Sequence, residues 1–183
     1  MKTVLLGVSS SISAYKAVDI ANQIAKKGIA VDTILTSNAA KLVTPLTFQA
    51  LTKRKAYVEM FDDSFYPDVR HISLAKSADA ALLAPATANV IGKIASGIAD
   101  DMLTTVFMAI PKGIPVLICP AMNTNMYENS IVQENMEKLK RHGYIFVEPR
   151  VGRLACDDVG LGALASVSDI LASVYRALGI SEA

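Results

Sequence analysis

Five short apolar runs, separated by stretches long enough to hold helices, constrain the fold of this chain more than any other feature of its sequence. Each run is apolar on both faces of a strand, a pattern typical of parallel sheets that helices cover on both sides. Strands that alternate with helices along the chain predict a doubly wound α/β fold. The predicted strands are Thr3–Val8, Ala30–Thr36, Ala80–Pro85, Pro115–Pro120 and Tyr144–Pro149.

Helix start and stop signals lie between these runs. The patterns Ile12–Lys27 and Asn125–His142 each end before a glycine, which favours C-terminal capping. Asp101 is placed to cap a further helix, and the last helix begins near Asp169. We therefore predict a three-layer α/β/α sandwich with a parallel sheet, flavodoxin-like or Rossmann-like. Because no repeat or linker interrupts the chain, we expect one domain over residues 1–183.

The composition is that of a globular protein, with 52% hydrophobic residues, 19% charged residues and a formal net charge of +1. The sequence has no block of like charge, which argues against a nucleic acid or a membrane surface as partner. Two cysteines argue against a disulfide framework and indicate a reducing compartment.

The first residues, "MKTVLLGVSSSISA", imitate a secretory signal peptide. Their apolar core, "VLLGV", is shorter than usual, and the pattern continues without a break into an amphipathic helix. No apolar run approaches the roughly 18 residues that a membrane-spanning helix needs. We interpret the segment as the first strand of a cytoplasmic protein.

Polar and small residues follow four of the predicted strands, in "GVSSSIS", "LTSNA", "APATAN" and "CPAMNTN". In doubly wound folds, ligands bind beyond the carboxyl ends of the strands. This clustering is the main functional signal of the sequence, and it predicts a ligand site at that edge of the sheet.

The first of these loops, Ser9–Ser13, opens a helix. Small residues let a ligand approach the backbone, and serine hydroxyls beside helix N–H groups suit a phosphate. An ordinary serine-capped turn would have the same sequence. The loop is neither a dinucleotide fingerprint nor a P-loop. Gly160–Ala165 matches G-x-G-x-x-A by letters, but no predicted strand precedes it, so we reject it as a dinucleotide site.

Three residues in the later loops are candidates for ligand binding. Thr87 and Asn89 are placed to contact a ligand or to cap the following helix. Asn123 can donate its amide N–H to a carboxylate, or cap a helix in the same way. Their residue types alone do not decide between these alternatives.

The histidines and cysteines leave two candidates for chemistry. His71 is a candidate base or a structural histidine, whereas His142 lies at a helix end and receives no chemical role. Cys119 ends an apolar strand and is interpreted as a small core residue. Cys156 lies in the predicted loop Arg153–Leu164, as a reactive thiol or an incidental one. Two histidines and two cysteines without ligand spacing do not form a zinc site.

Five segments in order resemble the homo-oligomeric flavin-containing cysteine decarboxylases: "SSISAYK", "HISLAK", "PATANVIGKIASGIADDMLTT", "PAMNTNMY" and "LACDDVGLG". The resemblance spans nearly the whole chain. It implies decarboxylation of 4′-phosphopantothenoylcysteine to 4′-phosphopantetheine in coenzyme A biosynthesis, through thiol oxidation, CO2 loss and re-reduction of the enethiolate. It also implies FMN bound between the subunits of a homotrimer, or of a dodecamer of four trimers.

On matched positions, the resemblance implies roles for individual residues. His71 and Cys156 would be catalytic, the first toward the substrate thiol and the second as the acid that returns a proton. Asn123 and Met126 would bind the substrate. The remaining matched residues would bind FMN: Ser9, Ser10, Ser11, Ile12, Thr36, Ser37, Asn38, Thr87, Ala88, Asn89, Val90 and Ala121.

The chain departs from the family pattern in three places. In one of them Tyr127 ends the segment "PAMNTNMY", where the family usually has tryptophan. Ser10 and Ser11 stand where glycine is common, and Asp157, Ala163 and Leu164 depart from the pattern A-C-G-x-x-G-x-G-R-M around the cysteine. These departures leave the details of substrate binding open. The alternatives are a decarboxylase of peptides that end in cysteine, a flavin prenyltransferase and a non-catalytic flavin-binding regulator.

Overall fold

The computed structural model describes residues 1–61, 69–153 and 159–181. Within these residues, six strands form a parallel sheet and two more form a separate antiparallel hairpin. The strands of the main sheet are β1 (Thr3–Val8), β2 (Ala30–Leu35), β3 (Ala56–Tyr57), β4 (Ala80–Ala86), β5 (Val116–Pro120) and β6 (Ile145–Phe146). The hairpin consists of β7 (Arg150–Arg153) and β8 (Val159–Ala163).

Helices cover both faces of the main sheet. They are α1 (Ala14–Lys26), α2 (Pro45–Thr52), α3 (Arg70–Ser77), α4 (Ala88–Ala95), α5 (Met102–Met108), α6 (Thr124–Tyr127), α7 (Ser130–Arg141) and α8 (Val167–Ala177). Apolar side chains of α1, α2 and α8 pack on one face, and those of α3, α4, α5 and α7 pack on the other. Every residue of β2, β4 and β5 is buried, as the doubly apolar runs predict. The predicted three-layer α/β sandwich is confirmed.

The strand order is β3-β2-β1-β4-β5-β6. This is the order of the Rossmann group, one of the two types that the sequence left open. The chain builds outward from β1 to β3, and β4 then returns to pair with the other side of β1. Such a reversal opens a crevice at the carboxyl ends of the two central strands, where doubly wound proteins bind ligands.

Three predicted elements differ from the structure. The predicted strand Tyr144–Pro149 is reduced to β6 (Ile145–Phe146) at the edge of the sheet, where Ile145 is exposed. The predicted helix Asn125–His142 is divided into α6 and α7, because the Asn129 side chain accepts a hydrogen bond from Ile131 N (3.0 Å) and starts a new helix. The predicted loop Arg153–Leu164 is wrong in part, since Val159–Ala163 forms β8 and pairs with β7. Glycines at alternate positions of β8 concealed this strand, because glycine has a low β propensity.

None of the helices within the described ranges is both long enough and apolar enough to span a bilayer.

Candidate functional site

A cleft of about 370 Å³ lies where the carboxyl ends of β1, β4 and β5 meet the hairpin. Its walls come from segments that are distant in sequence, and its size falls in the usual range for small-molecule sites. The residues that line it are Ser10, Ser11, Ile12, Ser13, Tyr15, Lys16, Thr87, Ala121, Met122, Asn123, Met126, Arg150, Gly162, Ala163 and Leu164.

The serine loop before α1, residues 10–13, forms one wall. The hydroxyl oxygens of Ser11 and Ser13 lie 3.0 Å apart and share a hydrogen bond. Ser13 precedes α1 but makes no side-chain cap to it within the described structure, so its hydroxyl is turned to Ser11 instead. Helix N–H groups and two hydroxyls therefore border the same space, as an anion site requires.

Ser9, directly before this loop, is held by two hydrogen bonds of its side chain. Its hydroxyl is fully buried, donates to Pro85 O (2.7 Å) and accepts from Thr87 N (2.9 Å). These two bonds join the end of β1 to the turn after β4. Ser9 is not one of the described residues that line the cleft. Its hydroxyl therefore holds the loop in place and does not face the cleft.

The turn from β4 into α4 supplies the next wall. Thr87 lines the cleft, and its hydroxyl caps α4 by accepting from Val90 N at 3.4 Å. Thr87 thus caps the helix while it also lines the cleft. Ala88 and Asn89 lie in the first turn of α4, and Asn89 is exposed. The side chain of Val90 is buried in the core, which leaves only its backbone near the turn.

Asn123 and Met126 stand after β5, in the cleft. Asn123 Oδ1 accepts from Asn125 N (2.9 Å) and caps α6, which fixes the direction of the amide group. The following Tyr127 is buried, and its hydroxyl donates to Glu148 Oε2 at 2.8 Å. Burial and this bond raise the pKa of Tyr127 to about 12, so it remains a neutral donor that anchors α6.

The hairpin closes the cleft against this segment. Gly162 adopts φ +140° and accepts a hydrogen bond at its carbonyl from Met122 N (3.0 Å). A Cβ at this position would lie 2.3 Å from Met122 O, so only glycine allows the two backbones to approach. A Cβ at Gly160 would collide with the side chain of Thr124 in α6. The hairpin is therefore held directly on the segment that carries Asn123.

Besides Ser9 and the turn Ala88–Val90, four more predicted site residues do not line the cleft among the described residues of this chain. Three of them follow β2: Thr36 Oγ1 accepts from Ala39 N (3.1 Å), Ser37 donates to Glu59 (3.3 Å), and Asn38 accepts from Lys41 Nζ (2.9 Å). The fourth, His71, lies in the first turn of α3 and is half-buried. Cys156 lies outside the described residues.

A model of one protein family, described as "Flavoprotein", matches residues 1–179. The chain belongs to the flavoprotein family.

Two curated relatives of this flavoprotein differ in length. The probable phosphopantothenoylcysteine decarboxylase of Streptococcus mutans is 44% identical over 177 residues, which cover 97% of this chain and 99% of that protein. The coenzyme A biosynthesis bifunctional protein CoaBC of Bacillus subtilis is 45% identical over 170 residues, or 93% of this chain. The match covers 41% of the Bacillus protein, so the flavoprotein spans about two fifths of this bifunctional relative.

Two solved structures share the fold of the flavoprotein. One is a PPC decarboxylase mutant, in which a cysteine is replaced by serine, complexed with pantothenoylaminoethenethiol. It superimposes with a TM-score of 0.85 at 29% identity, and the match covers 96% of this chain and 97% of the mutant chain. The FMN-dependent cysteine decarboxylase SpaF has a TM-score of 0.82 at 29% identity, over 97% of this chain and 95% of its own.

Sequence reasoning missed two cations that the flavoprotein places in its cleft, Lys16 and Arg150. Lys16 was visible within "SSISAYK", directly after the serine loop, where a basic residue in the first turn of a helix signals an anion site. Arg150 carried no such signal, because it reaches the cleft only through the pairing of β7 with β8.

Cys119, unlike Cys156, was interpreted as a core residue. Cys119 of β5 is fully buried, and burial raises the pKa of its thiol well above the usual value. The interpretation of Cys119 as a core residue is confirmed.

Proposed function

We propose that this flavoprotein catalyses the FMN-dependent decarboxylation of 4′-phosphopantothenoylcysteine to 4′-phosphopantetheine, a step of coenzyme A biosynthesis. The observation that carries the proposal is the cleft, which brings the serine loop before α1 and the amide of Asn123 into one space. A phosphate and a carboxylate are the anions that such groups bind. The relative from Streptococcus mutans, named for this reaction, supports the assignment over its whole length.

The described residues fit FMN. The serine loop and the N-terminus of α1 offer hydroxyl and N–H donors for its phosphate, and Ser11 and Ser13 have no cap to serve in α1. Ile12, Met126 and Leu164 give the same cleft apolar walls that suit a flat ring system. We assign the phosphate end to Ser10, Ser11 and Ile12, with Ser9 as the residue that positions them.

The other predicted FMN contacts lie along the edge of the sheet, on both sides of the serine loop. Thr87 and Ala121 line the cleft, and Ala121 N donates to Ala86 O (3.0 Å), which fixes the end of β5 beside β4. Thr36, Ser37 and Asn38 follow β2, the neighbour of β1, and Thr36 N donates to Val8 O at 3.0 Å. We propose that they border the ring, together with the turn Ala88–Val90.

The reaction exchanges one carboxylate for one proton, so it is redox-neutral overall, although the cysteine carboxylate itself has no acceptor for the electrons that CO2 leaves behind. When bound, FMN supplies reversible two-electron chemistry, which side chains lack. The protein must then bind the carboxylate, take up the thiol proton and return a proton to carbon. Met126 borders the space in which these groups meet.

We assign the three tasks to the three residues of the resemblance. The amide of Asn123 binds the carboxylate, its direction set by the cap that Oδ1 provides to α6. His71 takes the thiol proton. A free cysteine thiol has a pKa of about 8.5 and is mostly protonated at neutral pH, so we assign the role of the acid to Cys156. The cysteine-to-serine mutant of the PPC decarboxylase, complexed with an ethenethiol, supports a late protonation by cysteine.

His71 does not line the cleft of its own chain, and we propose that a neighbouring subunit supplies it. The cleft rim supports this arrangement, because Ile12 and Tyr15 expose 64% and 62% of their surfaces. Large apolar side chains at a rim mark a surface that another molecule covers. The proposed assembly is a homotrimer, alone or as four trimers in a dodecamer.

The proposal is tested by measuring CO2 release from carboxyl-labelled 4′-phosphopantothenoylcysteine by the FMN-loaded protein, beside a peptide that ends in cysteine. We expect release from the small substrate and formation of 4′-phosphopantetheine in equal amount. Release from the peptide alone would assign the protein to peptide decarboxylation. Release from neither, by a protein that has bound FMN, would contradict the proposal.

A further inference from the structure

Two cations line the cleft, and none of the steps proposed above uses them. Lys16 lies in the first turn of α1, and Arg150 is the first residue of β7. Among the described residues, the cleft lining includes no aspartate or glutamate. Nor does either cation form an ion pair within the described part of the chain. The described part of the cleft therefore holds two positive charges and no carboxylate.

The position of Arg150 assigns it to the hairpin wall of the cleft. It pairs across the hairpin with Ala163, which also lines the cleft. Its guanidinium runs along β7 above Gly152, where a Cβ would lie 3.5 Å from Nη1. The same hairpin is bonded to Met122 through Gly162. Arg150 thus belongs to the wall that packs on the Asn123 segment, apart from the serine loop.

The two cations affect each other. Burial, and then repulsion from Arg150, lower the pKa of Lys16. Since two like charges in one partly desolvated cleft repel, an anion bound between them would relieve the repulsion. A guanidinium and an ammonium together offer a phosphate several charged donors, and arginine can bind it through two parallel hydrogen bonds.

We propose that Lys16 and Arg150 form the subsite for the phosphate of 4′-phosphopantothenoylcysteine. The inference rests on the proposed function, which gives the cleft two phosphates to bind. The serine loop has hydroxyl and N–H donors for the phosphate of FMN, whereas Arg150 stands on the wall shared with Asn123, where the substrate binds. The cations therefore make the enzyme selective for a phosphorylated substrate.

The test compares the binding of 4′-phosphopantetheine and pantetheine to the FMN-loaded protein by calorimetry. We expect the native protein to bind the phosphorylated compound at least about 100-fold more tightly, since hydrogen bonds between charged partners are the strong ones. Lys16→Met and Arg150→Met should each reduce this ratio about tenfold, and Arg150→Lys should restore part of it. Lys26→Met, which removes the same charge from the last turn of α1, and Arg141→Met on α7 should leave the ratio unchanged.

A second measurement separates the two phosphates. FMN and riboflavin are titrated into the apoprotein, and the preference for FMN should be the same in Lys16→Met, Arg150→Met and the native protein. If the variants lose the preference for FMN and keep the one for 4′-phosphopantetheine, the cations serve the cofactor and the inference is overturned. It is also overturned if the variants weaken the binding of 4′-phosphopantetheine and pantetheine by the same factor, so that the ratio stays at the native value.

The proposed function is judged separately, by CO2 release from the native protein. Native protein that releases CO2 and binds both pantetheine compounds equally would contradict the subsite alone. Native protein that releases no CO2 would contradict the function, while the binding ratio would still decide whether the cations select a phosphate.

Discussion

At the scale of the residue, the site is built from side chains that already have a structural task. Ser9 joins two strands, Thr87 caps α4, and Asn123 caps α6. Each cap uses an oxygen of the side chain, which fixes the rotamer before any ligand arrives. A group held in this way loses little conformational freedom on binding, so the interaction is stronger than with a mobile side chain.

We expect Asn123→Asp to reduce kcat/KM for 4′-phosphopantothenoylcysteine by at least about 100-fold, because the amide donor is replaced by a negative charge that repels the carboxylate. Aspartate caps helices as well as asparagine, so α6 should persist and FMN should still bind. The measurement is CO2 release, with FMN content determined from the flavin absorbance.

The matched control is Asn129→Asp. Asn129 caps α7 through the same kind of bond, and it is exposed and does not line the cleft within the described structure. Its substitution makes the same chemical change and should leave kcat/KM unaltered. Equal activity of Asn123→Asp and the native protein would show that the amide does not bind the carboxylate.

The sequence indicated these residue types but not their double use. Asn123 and Thr87 each had two interpretations, as a cap or as a ligand contact, and the structure shows that a single side chain fills the cap while it lines the cleft. Ser9 was grouped with its neighbours in the loop, because burial of one hydroxyl among several depends on the turn after β4, which is distant in sequence.

At the scale of the element, the buried strands were predictable and the hairpin was not. Doubly apolar runs have few alternatives to a covered parallel sheet, and the observed bounds of β1, β2, β4 and β5 differ from the predicted ones by at most a residue. The hairpin depends on pairing between β7 and β8, two segments with glycines in place of strand-forming residues. Only the contact of β8 with the end of β5 explains why these glycines are needed.

We expect Gly162→Ala to lower the free energy of unfolding by at least about 2 kcal/mol, because an L residue is strained at φ +140° and its Cβ would collide with Met122 O. The loss should be accompanied by weaker binding of 4′-phosphopantetheine, since the hairpin would move away from the Asn123 segment. Urea denaturation and calorimetry provide the two measurements.

Gly92→Ala in α4 is the control. A Cβ there would have only Asn135 Nδ2 nearby, at 3.7 Å, and alanine favours a helix interior over glycine by up to about 1 kcal/mol. This variant should be as stable as the native protein or more so. If Gly162→Ala behaved in the same way, the close approach of the two backbones would not matter for the fold.

At the scale of the whole molecule, the cleft of one chain lacks a described histidine, and its rim exposes apolar side chains. The proposed site, completed across a subunit boundary, would explain both features. The resemblance predicted such a boundary. The residues alone did not, because the contacts between symmetric copies leave no periodic pattern in the sequence of one chain.

Complementation between two inactive variants tests the boundary. His71→Asn and Asn123→Asp are each expected to be inactive when pure. If each site takes His71 from one subunit and Asn123 from another, every trimer that contains both variants has one site with both native residues. Purified mixed trimers should therefore regain about one third of the native activity, and dodecamers of randomly mixed subunits about one quarter. Co-expression with two different tags, followed by tandem purification and CO2 assay, provides the measurement. Mixed oligomers without regained activity would place both residues in the same subunit, whereas activity of the pure His71→Asn variant would remove His71 from the reaction.

The cleft draws its walls from residue 10 near the start of the chain and residue 164 near its end. During translation, the central strands emerge long before β8, so a ribosome-bound nascent chain can assemble most of the sheet while one side of the crevice is still absent. Binding at the proposed subsite for the substrate phosphate must accordingly wait for synthesis of the hairpin, and a stalled chain that ends before Val159 would not discriminate 4′-phosphopantetheine from pantetheine.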